Sequence, residues 1–268
     1  MKRLNKLFQI FSILIVSYVS IYGQYPEIHC KHFIYGYPGG APKTNDMVIR
    51  DIYALSSNDS TKFADWVVYR LDKSEVEGPS NSERDWKADP WLDPSETLEP
   101  PDYDNAYKSY NYDRGHQAPL ANFKGTQYAY ETNYLSNITP QKALLNRGLW
   151  KKLEDKERDL VIKYGTIYVM TGPLYEKYMP NLPKADESHK VPSGYWKIIA
   201  IPQKIGIEIF SFIFDQSTTS ADILKNHLTS VSNIQKRSKL DFFWELNDSQ
   251  EKKLEEKPNA NYDLFFGN

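Results

Sequence analysis

The sequence predicts an α+β fold, with a mainly antiparallel central sheet and helices on its faces. Three observations carry this. Runs rich in β-branched and aromatic residues at 47–55, 63–71, 195–201 and 207–214 are separated by short polar turns, as in paired strands. A stripe of helical period formed by Leu145, Leu149, Trp150, Leu153 and Leu160 follows the first strands, so strands and helices alternate in mixed order. The chain has 268 residues with 40% hydrophobic content, enough to bury a sizeable core.

At the N-terminus, Lys2, Arg3 and Lys6 precede a largely apolar run over 7–22 that is interrupted by Gln9, Ser12, Ser17 and Ser20. The run is short for a bilayer span, so residues 1–23 read as a signal peptide cleaved near Gly23, with an uncleaved anchor as the alternative. The mature chain, 24–268, is then a single domain, secreted or periplasmic and free of the membrane. Cleavage moves the formal charge from -2 to -5, because residues 1–23 hold those three cations and no acid. Attraction to a polyanion must therefore come from a local cluster, with Arg84, Lys87, Arg114, Lys142, Arg147 and Lys151 as candidates. The single cysteine, Cys30, excludes an intramolecular disulfide and leaves a homodimer through its thiol open. Its setting, His29-Cys30-Lys31-His32, lacks the paired spacing of a structural zinc site.

Next come a turn-rich loop over 35–43, a hairpin of strands 47–55 and 63–71, and a long ordered loop over 77–112 rich in Pro, Asp, Glu and Ser. A strand over 166–170 ends at Thr171-Gly172-Pro173, and a polar loop fills 176–192. Strands 195–201 and 207–214 pair across a turn, and short helices are expected near 221–228 and 231–239. Phe242-Phe243-Trp244 packs back on the core, since so much aromatic area seldom stays exposed.

The chemistry concentrates between Asp113 and Arg158. In Asp113-Arg114-Gly115-His116 an imidazole, the natural general base near neutral pH, stands beside a guanidinium whose planar fork matches phosphate oxygens. Gly115 permits an unusual backbone angle or close approach of a substrate. On the following helix Asn146 and Glu154 lie off the apolar stripe and face one general side, and Glu154 precedes Arg158 by four residues, the favourable order for an ion pair. An amide oxygen suits a magnesium ion that keeps most of its waters. Each residue also has a plainer role open to it: a lone histidine is often structural, and asparagines cap helices or turn chains. His189 and His227 read as surface residues, and Trp150 and Leu153 as core.

These residues resemble the DNA/RNA non-specific endonuclease family. The likeness rests on an ordered set: Asp113 to Ala121 (DRGHQAPLA), Asn133 to Lys142, and Leu145-Asn146 through Arg158. It extends upstream to Phe63-Ala64-Asp65-Trp66-Val67 and Arg84-Asp85-Trp86-Lys87-Ala88-Asp89-Pro90. Downstream it includes Thr171 to Glu176, Pro192 to Lys197 and Phe214-Asp215-Gln216. The resemblance implies a ββα-metal (His-Me finger) site built around His116 and Asn146, and hydrolysis of DNA and RNA to 5′-phosphate ends. It assigns His116 as general base, Asn146 as direct ligand of one Mg2+ (Mn2+ a substitute), and Glu154 as holder of metal-bound water. Arg84 and Arg114 would bind phosphate oxygens and Arg158 would orient Glu154, with Asp113 and Asn137 in support. DNA and RNA would be held through the phosphate backbone. A phosphodiesterase for small nucleotides, or a binding protein on the same fold, are the rival readings.

Overall fold

The computed structural model describes residues 25–79 and 83–267. The signal-peptide reading lies on residues 1–23, outside the described residues. Seven strands form an antiparallel sheet in the order β1-β2-β3-β6-β7-β8-β9: β1 Asp46–Ile49, β2 Ala54–Ser57, β3 Ala64–Asp72, β6 Thr166–Leu174, β7 Gly194–Pro202, β8 Ile207–Asp215 and β9 Leu228–Thr229. A separate two-stranded antiparallel ribbon pairs β4, Tyr112–His116, with β5, Ile138–Lys142.

Period-two alternation makes both faces of the main sheet apolar, so both are covered. Val67, Tyr69 and Leu71 of β3, with Tyr195, Ile199 and Ile201 of β7 and Phe210, Phe212 and Phe214 of β8, pack under the helix Lys151–Tyr164 and the C-terminal helix Tyr262–Phe266. The alternate residues Trp66, Val68, Trp196, Ile198 and Ala200 face a second layer that includes the helix Val231–Ser238, Phe242 and Phe243. The aromatic run 242–244 thus packs on the core, with the Trp244 indole donating to the Tyr37 carbonyl at 2.7 Å. Among the described residues no helix is long and apolar enough to cross a membrane.

Several elements differ from expectation. The run 47–55 is two strands, because the chain reverses where Arg50 N–H donates to the Tyr53 carbonyl at 2.8 Å. Arg50 is buried there between the rings of Trp91 and Tyr134, at 4.0 and 4.5 Å, and bonds Asp89 at 2.5 Å. That arrangement fastens the 77–112 loop to the body, and the loop contains short helical turns and the helix Ala106–Tyr110. β6 runs on through Gly172 and Pro173. Thr171 is its last residue paired with β3, so the proline's missing N–H costs the sheet nothing on that side. Residues 221–228 hold only a 3-10 turn, Leu224–His227, because Leu228 and Thr229 pair with β8.

The histidines need the same correction. His189 is buried, accepting from Leu182 N–H at Nε2 and donating from Nδ1 to the Glu187 carbonyl, each at 2.9 Å. His227 stacks on Phe214 at 4.8 Å and donates to the Ile213 carbonyl. In His29-Cys30-Lys31-His32, both ring nitrogens of His32 are committed to backbone: Nδ1 accepts from Arg70 N–H and Nε2–H donates to the Arg50 carbonyl, each at 3.1 Å. Burial pushes the His32 imidazole down to about 4. A histidine depressed from 6.5 leaves the unfolded chain binding more protons, so stability is lost as pH falls from about 6.5 towards 4. Thermal melts across that window should show an acid-side loss of roughly 3 kcal/mol from this group, which His32→Gln removes.

Candidate active site

The ribbon and the helical segment after it build one cleft of about 760 Å³, lined by His116, Asn146, Glu154, Arg84, Arg114, Arg158 and Asp113 among others. Ribbon pairing sets the first part. His116 lies opposite Ile138 and Gly115 opposite Thr139, and a Cβ on Gly115 would stand 2.7 Å from the Gln141 side chain. Gln141 within the ribbon is therefore sufficient to require glycine at position 115. The loop beyond His116 is clamped by buried Asn137, whose amide accepts from Ala118 N–H at 2.9 Å and donates to the carbonyls of Ala118 and Thr132. Asn137 supports the site from beneath and does not line the cleft.

Among the described residues one ring nitrogen of His116 is occupied. Asn133 Nδ2 donates to the Glu83 carbonyl at 3.0 Å, which turns Asn133 Oδ1 towards His116 Nε2 at 3.2 Å. An amide oxygen only accepts, so Nε2 carries the proton and Nδ1 keeps a lone pair. Trp86 stands 5.2 Å from the ring. Burial holds the imidazole down at about 4 against the bond from Asn133, and the Arg84 charge adds to the lowering. His116 is therefore neutral at physiological pH, as a proton acceptor must be.

Asp113 fixes the second part. Its Oδ2 accepts from Asn146 Nδ2 at 3.0 Å, and the carboxylate takes Nε and Nη2 of Arg147 at 2.8 and 2.6 Å. With its NH2 held there, Asn146 has its Oδ1 left over for the cleft. The segment is not one continuous helix. Asn146–Trp150 is a wide turn with Gly148 off helical geometry (φ -100°, ψ -113°) against Ser220, and Lys151–Tyr164 is regular. Helical azimuth counted from 146 to 154 therefore fails, although both residues line the cleft. Leu149, Trp150, Leu153 and Leu160 are buried, as the stripe predicts.

Glu154 has no hydrogen-bond partner among the described residues. Burial raises its carboxyl to about 7; Lys197 and Arg158 pull it down, while Glu157 and Asp155 push it up. Arg158 does not bond Glu154. Its Nη1 donates to Asn122 Oδ1 at 2.8 Å and its Nη2 to Asp155. Arg114 spends Nη2 on the Pro100 carbonyl at 2.8 Å and lies over Tyr103 and Trp86, while its buried Nε has no partner among the described residues. Arg84 is exposed on the cleft wall. Of the candidate cations, Lys87 and Lys142 do not line the cleft: Lys87 pairs with Asp85, and Lys142 bonds the Tyr110 carbonyl. Lys124 and Lys151 do line it.

A neutral amide oxygen sharing a cleft with a carboxylate that has no partner among the described residues fits a hard divalent cation that keeps most of its coordination in water. A cation there would also reverse the unfavourable ionisation of Glu154. The acidic groups Asp46/Asp59/Glu96 and Asp102/Asp186/Glu187 lie outside the cleft.

A two-stranded ribbon bearing a neutral histidine, followed by a helical segment offering an amide oxygen and a carboxylate among arginines, defines a ββα-metal phosphodiester hydrolase. The chain belongs to the DNA/RNA non-specific endonuclease family, whose model matches residues 31–249. It is a non-specific endonuclease of that metal-dependent family. It is 41% identical over 226 residues to a nuclease of Serratia marcescens, covering 83% of this chain and 84% of that one. Human mitochondrial endonuclease G is 29% identical over 226 residues, covering 78% and 71%. A chain from the crystal structure of the EndoG/EndoGI complex superposes with a TM-score of 0.71 at 26% identity, covering 81% of this chain and 91% of that one.

Proposed function

We propose that this protein is an exported, magnesium-dependent enzyme that cuts DNA and RNA through backbone contacts and leaves 5′-phosphate ends. The observation that carries the reading is the fixed tautomer of His116, whose free Nδ1 shares a cleft with the amide oxygen of Asn146. His116 Nδ1 takes the proton of the attacking water. Arg84, Arg114 and Arg158 hold the non-bridging oxygens of the phosphate, where charge grows as the bond to the 3′-oxygen breaks. A divalent ion held by Asn146, with Glu154 beyond it, supplies further positive charge to that oxygen when bound. Asp113 keeps the Asn146 oxygen aimed at the cleft. Export rests on the basic and apolar pattern of residues 1–23.

The acid limb attributable to His116 is expected near its depressed value of about 4, well below the 6.5 of a free imidazole, since protonation removes the base. A profile of kcat/KM at saturating Mg2+ checks this. A midpoint at 6.5 would argue against a half-buried, Arg84-flanked base.

Recognition of phosphates also fixes a salt and sequence signature. Affinity for duplex should fall steeply with added salt, while cut sites in random sequence stay broadly distributed. Sequencing the ends of partial digests tests the functional reading, and one sharply preferred motif would overturn backbone recognition. Turnover on a bis-nitrophenyl phosphate ester should be far below that on polymer.

A further inference from the structure

Beneath the cleft lies a buried ion pair that the reaction does not itself use. Lys197 Nζ and Glu157 Oε1 are 2.6 Å apart, both side chains fully buried, and Lys197 also lies 4.4 Å over the Trp150 ring. A buried pair of this kind is a weak source of stability, because desolvation of two charges offsets their attraction. It does impose direction. Glu157 Oε2 only accepts, and it takes Tyr69 Oη–H at 2.8 Å and Asn122 Nδ2 at 2.7 Å. That bond turns the buried Asn122 amide so that its Oδ1 faces outward to Arg158 Nη1 at 2.8 Å. Asp155 holds the other terminal nitrogen of Arg158. The guanidinium is thus gripped at two nitrogens at the cleft wall, and its remaining N–H groups have no partner among the described residues.

We propose that Lys197, Glu157 and Asn122 form a directional polar relay that sets the plane of the Arg158 guanidinium for the substrate phosphate, making Asn122 a positioning residue. The inference rests on the nuclease reading above. The order of donors is what matters: an ammonium fixes a carboxylate, the carboxylate fixes an amide, and the amide fixes the arginine. The helix Lys151–Tyr164 contributes Glu157 and Arg158, β7 contributes Lys197, and the turn Leu120–Phe123 contributes Asn122. The relay therefore ties the cleft wall to the centre of the main sheet.

A double-mutant cycle on kcat/KM for plasmid DNA tests this, with melts establishing that each variant is folded. Asn122→Ala should lose about 10- to 100-fold in an otherwise native chain, the scale of a small misplacement of a binding group. In an Arg158→Ala background it should lose less than about twofold, because the residue it acts through is gone. An equal loss in both backgrounds, or no loss in the first, overturns the relay.

Glu157→Gln supplies an independent arm should Asn122→Ala not fold. The glutamine oxygen must serve Lys197, so its NH2 faces Asn122, the Asn122 amide flips, and Arg158 meets a donor in place of an acceptor. The same cycle should give the same pattern, and native kcat/KM in folded Glu157→Gln contradicts the relay. A wild-type protein that cuts neither DNA nor RNA overturns the functional reading and this inference together. An active wild type with additive variants overturns the relay alone.

Discussion

His116→Ala is expected to cut DNA about 10² to 10⁴ times more slowly than the wild type, the usual scale for losing a general base, with its melting behaviour at neutral pH nearly unchanged. Among the described residues the ring is held by one side-chain bond, to Asn133, and the residue keeps its place in the ribbon through backbone pairing with Ile138. Removing the imidazole therefore deletes chemistry and leaves the pairing. Asn133→Ala separates tautomer control from the base itself. With Nε2 released, the proton can sit on either nitrogen, so that variant should fall less than His116→Ala. Near-native turnover in folded His116→Ala would remove the residue from the mechanism.

Asn146 is the second large effect. If Asn146 is the anchor for a divalent ion, as proposed, Asn146→Ala should lower turnover and raise the magnesium midpoint together, leaving Glu154 as the remaining donor. Asn146→Asp is expected to do two opposing things. A carboxylate binds the ion more tightly, yet cancels part of the charge that stabilises the transition state, so turnover falls even at saturating magnesium. The structure adds a cost: the amide now donates to Asp113 at 3.0 Å, and an aspartate there would set two carboxylates against each other. Arg147, bound to both Asp113 oxygens, relieves only part of that repulsion. Plasmid nicking against magnesium concentration measures both variants, and an unchanged midpoint and rate in Asn146→Ala would place the ligand elsewhere.

Much of this fold is legible in local pattern, and its misreadings have local causes. Strands β7 and β8 are short runs of β-branched and aromatic residues joined by a short turn, so composition and length find them even though both of their faces are buried. The reversal at residues 50–53 has no Gly, Pro or Asn-Gly signal; it is set by Arg50 reaching Asp89, which lies far along the chain. Pro173 looks like a strand end until one knows that β3 stops pairing at Thr171. At the site, His116, Asn146, Glu154, Arg84, Arg114 and Arg158 all line one cleft. What local reading misses is who holds whom. Asn133 fixes the tautomer of His116 across 17 residues of separation, and no spacing rule connects them. The helical (i, i+4) rule offered Glu154 to Arg158, yet Asn122 and Asp155 bind that arginine instead. Of those two partners Asn122 is brought in by tertiary folding, whereas Asp155 is the helical neighbour at (i, i+3) that takes the place of the one at (i, i+4).

One cleft, with His116 as base and a divalent ion at Asn146, is proposed to hydrolyse phosphodiesters in either polymer. Digestion of supercoiled plasmid and single-stranded RNA by one purified preparation, with magnesium and then with excess chelator, tests it most directly. Both polymers should be degraded to fragments with 5′-phosphate ends in magnesium, both should stay intact in chelator, and His116→Ala purified in parallel should be nearly inert on each. Intact polymers in magnesium, or degradation that persists in chelator, would contradict it.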